Sequence, residues 1–86
     1  MKFLSTFKIG NVEDLKAAEK KRNELPDFGI TPISESYGII GQLKGFQILE
    51  SEDEKALEKL ALYYLPEVQF KFKPIIKVSE ISKIMS

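Results

Sequence analysis

A mixed α+β domain, with helices laid against one face of an antiparallel sheet, is predicted by three observations. Two segments, "KFLSTFKI" and "VQFKFK", alternate apolar and polar residues with period two near either end of the chain. Two others, after Asn11 and after Ser51, repeat apolar residues at helical spacing behind capping side chains. Between those helices, "GIIGQLKGFQILE" sets a glycine-bounded turn between two apolar runs.

The first strand places Phe3, Phe7 and Ile9 on one face and Lys2, Thr6 and Lys8 on the other. Asn11, with Asp14 three positions on, is a helix N-cap. Behind it Val12, Leu15, Ala18, Arg22 and Leu25 recur at helical spacing. Glu13 and Asp14 sit at the positive end of that helix and Lys20, Lys21 and Arg22 at its negative end. "EKKR", Glu19 to Arg22, reads as a solvated helix end, and Pro26 and the loop "PDFGITP" follow.

Residues 33–40 alternate loosely as a second strand, and "GFQILE" forms a third with Phe46 and Ile48 on one side. A phosphate-cradling loop opens directly into a helix. "GQLKG" instead opens into strand residues, so it reads as a hairpin in which Gly41 and Gly45 supply turn conformations. Ser51 and Glu54 match a capping box. Leu57, Leu60, Ala61 and Tyr64 form the stripe of the second helix, with Tyr63 and Tyr64 as packing residues, and Pro66 ends it. In the last strand Val68, Phe70 and Phe72 oppose Gln69, Lys71 and Lys73, and Pro74 suits a sheet edge.

The order strand, helix, strand, strand, helix, strand predicts a ferredoxin-like βαββαβ domain, a four-stranded antiparallel sheet with two helices on one face. Residues 1–78 form this single domain, and residues 79–86 a tail in which Ile81, Ile84 and Met85 suit a short helix. A chain of 86 residues has a thin core, burying only about 60–65% of its unfolded surface.

Composition excludes several chemistries. There is no cysteine or histidine, which removes disulfides, thiolate zinc sites, imidazole catalysis and the usual haem ligands. No cofactor and no metal are expected. Thirteen Lys and Arg against 13 Asp and Glu leave no net charge, so nucleic acid is not an expected partner. No apolar run approaches the roughly 20 residues that span a bilayer, and "MKFLSTFKIG" is unlike a signal peptide, so a cytoplasmic protein without a membrane partner is expected.

Glu35 and Tyr37, two apart on one strand, are the candidate catalytic pair, since a carboxylate and a phenol on one face can move a proton. No third group is assigned to orient them. Lys71, Lys73, Gln69 and Thr6 are candidate ligand-binding residues. The uncovered sheet face should carry Leu4, Thr6, Leu49, Gln69, Lys71, Lys73 and Ile75, without the aromatic side chains that stack RNA bases. Pairing two such faces gives a homodimer around a semi-polar cavity. Burying Lys71 and Lys73 there calls for an anion, either a ligand or Glu35 and Glu50.

"MKFLSTFKI", "KGFQILESEDEKALEKL" and "VQFKFKPII" resemble the dimeric α+β barrel superfamily, and within it a small family catalogued as a domain of unknown function. "ESYGIIGQLKGFQILES" followed by "LPEVQFKFKPII" is also similar to the effector domain of leucine-responsive regulators, without the helix-turn-helix that precedes it there. The resemblance implies dimerisation through the sheet, in a group that includes cofactor-free monooxygenases, haem-degrading enzymes, lactone isomerases and amino-acid sensors. The resemblance also implies an aromatic–histidine pair on the second strand, which members of the small family often carry. Ser36, Tyr37 and Gly38 stand there in this chain, without the imidazole. The leading expectation is a homodimeric, non-catalytic module that binds a small molecule or regulates. The alternative is a cofactor-independent monooxygenase or isomerase using Glu35 and Tyr37 beside the dimer cavity.

Overall fold

The computed structural model describes residues 1–85. It is a mixed α+β structure whose elements run β1 (Lys2–Ile9), α1 (Val12–Asn23), β2 (Thr31–Pro32), β3 (Tyr37–Gly38), β4 (Lys44–Glu50), α2 (Glu54–Tyr64), β5 (Val68–Ile75) and α3 (Val78–Met85). The five strands form an antiparallel, open sheet in the order β2-β4-β1-β5, with β3 also paired to β4. β5 is an edge strand, which accommodates Pro74 opposite Phe3.

One core lies on one face of this sheet. Phe3 and Leu49 from β1 and β4 meet Val68 from β5, Ala18 from α1, and Leu57, Leu60 and Tyr64 from α2. Leu49 pairs with Phe3 and is buried beside it, so it belongs to the helix-covered face, contrary to the expected open-face placement. Phe46 and Ile48 take the opposite parity and lie on the open face with Thr6 and Leu4. β4 is apolar on both faces, so alternation alone cannot fix its parity, and a slip of one residue exchanges the faces.

The expected continuous strand over 33–40 is broken. Thr31 and Pro32 pair with Glu50 and Leu49, and Tyr37 and Gly38 with Phe46 and Gly45. Residues 33–36 therefore face only residues 47–48, a bulge of two extra residues. Ser34 holds it: its hydroxyl accepts from Ile48 N (2.9 Å) and donates to the Glu35 carbonyl (2.9 Å), while Gln47 Nε2 donates to the Ser34 carbonyl (3.0 Å).

"GQLKG" is a hairpin connection. Ile39 N bonds Lys44 O at 2.9 Å, Gln42 N bonds Ile39 O at 3.1 Å, and Gly41 takes φ +80°. Gly45 serves differently from expectation, for it lies within β4 and has no positive φ. A Cβ there would overlap the Phe7 ring and the Tyr37 carbonyl, so close approach requires glycine.

Both main helices start at side-chain caps. Asn11 Oδ1 accepts from Asp14 N at 2.9 Å, as expected. For α2 the cap is Asp53, which accepts from Lys55 N at 2.9 Å. Ser51 does not form the expected box with Glu54; its hydroxyl bonds both ends of Asp53, accepting from N and donating to O. The tail forms α3, none of whose residues is buried, and Ser86 lies outside the described residues.

Candidate functional site

The sheet's two faces offer two different surfaces. On the open face, one row across the strands reads Tyr37, Phe46, Thr6 and Lys71. The next row reads Ile48, Leu4 and Lys73, and Gln69 pairs with Lys8. Thr6, Gln69, Lys71 and Lys73 thus share this face as the period-two reading requires. The expected absence of aromatic residues from it is corrected. Tyr37 (50% exposed) and Phe46 (38% exposed) stack with ring centroids 5.4 Å apart. Lysines dominate the ends and edge of the face, with Lys2, Lys8, Lys44, Lys71 and Lys73 against Glu50.

Glu35 is exposed within the bulge, outside the ladder that fixes Tyr37. The simple alternation that would put both side chains on one face is interrupted between them and the residues before. Tyr37 packs against Phe46, and no hydrogen bond joins it to Glu35 among the described residues.

The helix side holds a feature that the sequence does not display. α1 contributes only Ala18 to the core, while Val12, Leu15 and Leu25 of its predicted stripe remain exposed. α1 therefore stands partly away from the sheet, and a cleft of about 550 Å³ opens beneath it. Leu15, Leu25, Phe28, Leu49, Leu60 and Val68 supply much of its apolar lining. Glu19, Arg22, Asp27, Ser36, Gln47 and Tyr64 supply polar groups. The volume falls within the range typical of small-molecule pockets, about 300–1,000 Å³.

A polar clamp fixes the far end of α1. Lys21 Nζ bonds the Glu67 carboxylate at 2.7 Å and the Leu65 carbonyl at 3.1 Å, and Tyr63 Oη donates to the Lys21 carbonyl at 2.7 Å. Phe28 meets the Tyr63 ring edge-on at 6.0 Å, tying the loop after α1 to the same corner. Lys21 is thus a structural cation within the run read as a solvated helix end. Its hydrogen bond holds the Glu67 carboxyl below the usual carboxylate range.

Tyr64 is 8% exposed and lines the cleft. Burial, reinforced by neighbouring Tyr63, pushes its phenol above the ordinary value, while the Arg22 charge acts in the opposite sense. The hydroxyl consequently remains a neutral donor at physiological pH.

Among the described residues, no group of three or more acidic side chains gathers as a metal cluster, and no helix is long and apolar enough to cross a membrane. The family model described as "Domain of unknown function (DUF3303)" matches residues 1–86, and the chain belongs to that family. No curated protein matches it.

Proposed function

We propose that this protein is a small-molecule-binding module whose ligand occupies the cleft between α1 and the sheet. The observation that carries this reading is the cleft itself, an apolar hollow with a few converging polar groups on a chain otherwise short of core. The clamp at Lys21 supports it, because α1 is held at its distance from the sheet by bonds that do not fill the space. Binding is favoured over the catalytic alternative, since Glu35 is exposed in a bulge and Tyr37 is packed on Phe46.

We further propose that the arrangement is ferredoxin-like and that two copies pair through their open sheet faces as a dimeric α+β barrel. Apolar side chains Leu4, Ile48, Phe46, Ile75 and Tyr37 share that face with lysines at its ends and edge. In such a dimer Thr6, Gln69, Lys71 and Lys73 would line the cavity between copies, open to an anionic group. A regulatory role in the cytoplasm, without nucleic acid or membrane, is consistent with this reading.

The ligand reading is tested with a neutral apolar dye, N-phenyl-1-naphthylamine. Its fluorescence should rise saturably on mixing with the protein. Leu25→Glu should abolish the rise while leaving the circular dichroism spectrum unchanged, because Leu25 lies exposed at the cleft rather than in the core. An undiminished signal in Leu25→Glu would place the apolar site elsewhere.

A further inference from the structure

The polar groups of the cleft also point to the chemical class of its ligand. Tyr64 is more than nine-tenths buried, yet its hydroxyl has no hydrogen-bond partner among the described residues. The oxygen keeps some access to solvent, since no wholly buried side-chain oxygen or nitrogen lacks a partner, and Tyr64 is among the residues that line the cleft. With no protein acceptor, this hydroxyl on a mostly buried ring is left to water or to a ligand oxygen. Arg22 lines the same cleft and has no ion-pair partner among the described residues, whereas its neighbour Lys21 takes Glu67. Its charge is felt at the Tyr64 phenol, so the two groups lie within electrostatic reach of each other.

We propose that the cleft takes an apolar monocarboxylate, its carboxylate shared by the Arg22 guanidinium and the Tyr64 hydroxyl. The hydrocarbon body then lies along Leu25, Phe28, Leu49 and Leu60. This rests on the reading of the cleft as a ligand site. The planar guanidinium fork matches a carboxylate in two parallel hydrogen bonds, and the phenol adds a third from a neutral donor. Glu19 and Asp27 also line the cleft, and Asp27 Oδ1 is already engaged by Gly29 N at 2.8 Å. The two carboxylates oppose an anion, and oppose a doubly charged phosphate more strongly than a carboxylate, so the attraction has to come locally from the Arg22 guanidinium.

The test is calorimetric titration of the full chain with octanoate, octan-1-ol and octylamine. Octanoate should bind about tenfold or more tightly than octanol, the scale of a charge-assisted hydrogen bond. Arg22→Gln, at an exposed position, should bring octanoate down to the octanol level, and Tyr64→Phe should weaken octanoate while leaving the fold intact. Octanol binding as tightly as octanoate, or a preference that survives Arg22→Gln, would overturn the carboxylate assignment and leave the cleft standing as an apolar site. Octylamine binding most tightly would assign the mouth to Glu19 and Asp27 and overturn it equally. Absence of binding by all three would remove both the assignment and the ligand reading.

Discussion

Lys21 shows how one side chain can set the geometry of a larger hollow. Its ammonium bridges Glu67 and the Leu65 carbonyl, and its own carbonyl receives Tyr63 Oη, so α1, the end of α2 and the turn leading into β5 meet at one residue. Because the folded Glu67 carboxyl titrates below its ordinary value of 4.5, it binds protons less readily than in the unfolded chain. Its stabilising contribution is therefore complete above the unfolded value and is lost as pH falls through the folded one. Urea unfolding of the protein and of Glu67→Gln should differ at pH 7 and converge towards pH 3. A difference that persists at pH 3 would assign the effect to packing. The same corner was hidden in the sequence, where "EKKR" reads as ordinary solvated charge and nothing marks Lys21 from Lys20. Only the fold brings Glu67 to it.

At the scale of elements, the strand and helix periods were legible because each of β1, α2 and β5 has one clearly apolar face. Three details were not. The bulge at 33–36 depends on Ser34 reaching the β4 backbone, which no local pattern encodes. The parity of β4 is ambiguous because Phe46, Ile48 and Leu49 are apolar on opposite faces. The N-cap of α2 moves from Ser51 to Asp53 because Ser51 spends its hydroxyl on Asp53. Gly45 is the most demanding position in the hairpin, since an added methyl meets both a ring and a backbone carbonyl. Gly45→Ala should lose about 1–3 kcal/mol through overpacking, lowering the thermal midpoint by at least several degrees. Gly41→Ala is the useful companion, because its penalty comes from φ alone with open space around the site. A Gly45→Ala protein as stable as the parent would show that β3 and β4 can separate at no cost.

For the whole molecule, charge is segregated although the total is balanced. Lys2, Lys8, Lys44, Lys71 and Lys73 share the open face with Glu50, while the chain as a whole is neutral. Two copies meeting through this face bring like charges together around an apolar centre. Sedimentation equilibrium at micromolar concentration should give about twice the chain mass of 9.8 kDa. Added salt should tighten the dimer by screening the lysines, the reverse of an association driven by opposite charges. A monomer at every salt concentration would remove the barrel arrangement while leaving the helix-side cleft untouched. No residue of α3 is buried, and Ile84 is 77% exposed.

The cleft beneath α1 is where function was least legible. Its residues are scattered from Phe7 to Phe70, and it exists because a helix stripe that looks core-forming contributes only Ala18 to the core. Sequence reasoning chose instead the residues of the opposite face, Thr6, Gln69, Lys71 and Lys73, whose alternation is visible. The most direct measurement is a methyl-resolved NMR titration of the full chain with octanoate. Shifts should concentrate at Leu15, Leu25, Ile30, Leu49, Leu60 and Val68, with Leu4, Ile48 and Ile75 unmoved. Shifts confined to Leu4, Ile48 and Ile75, or none at saturating ligand, would contradict the account.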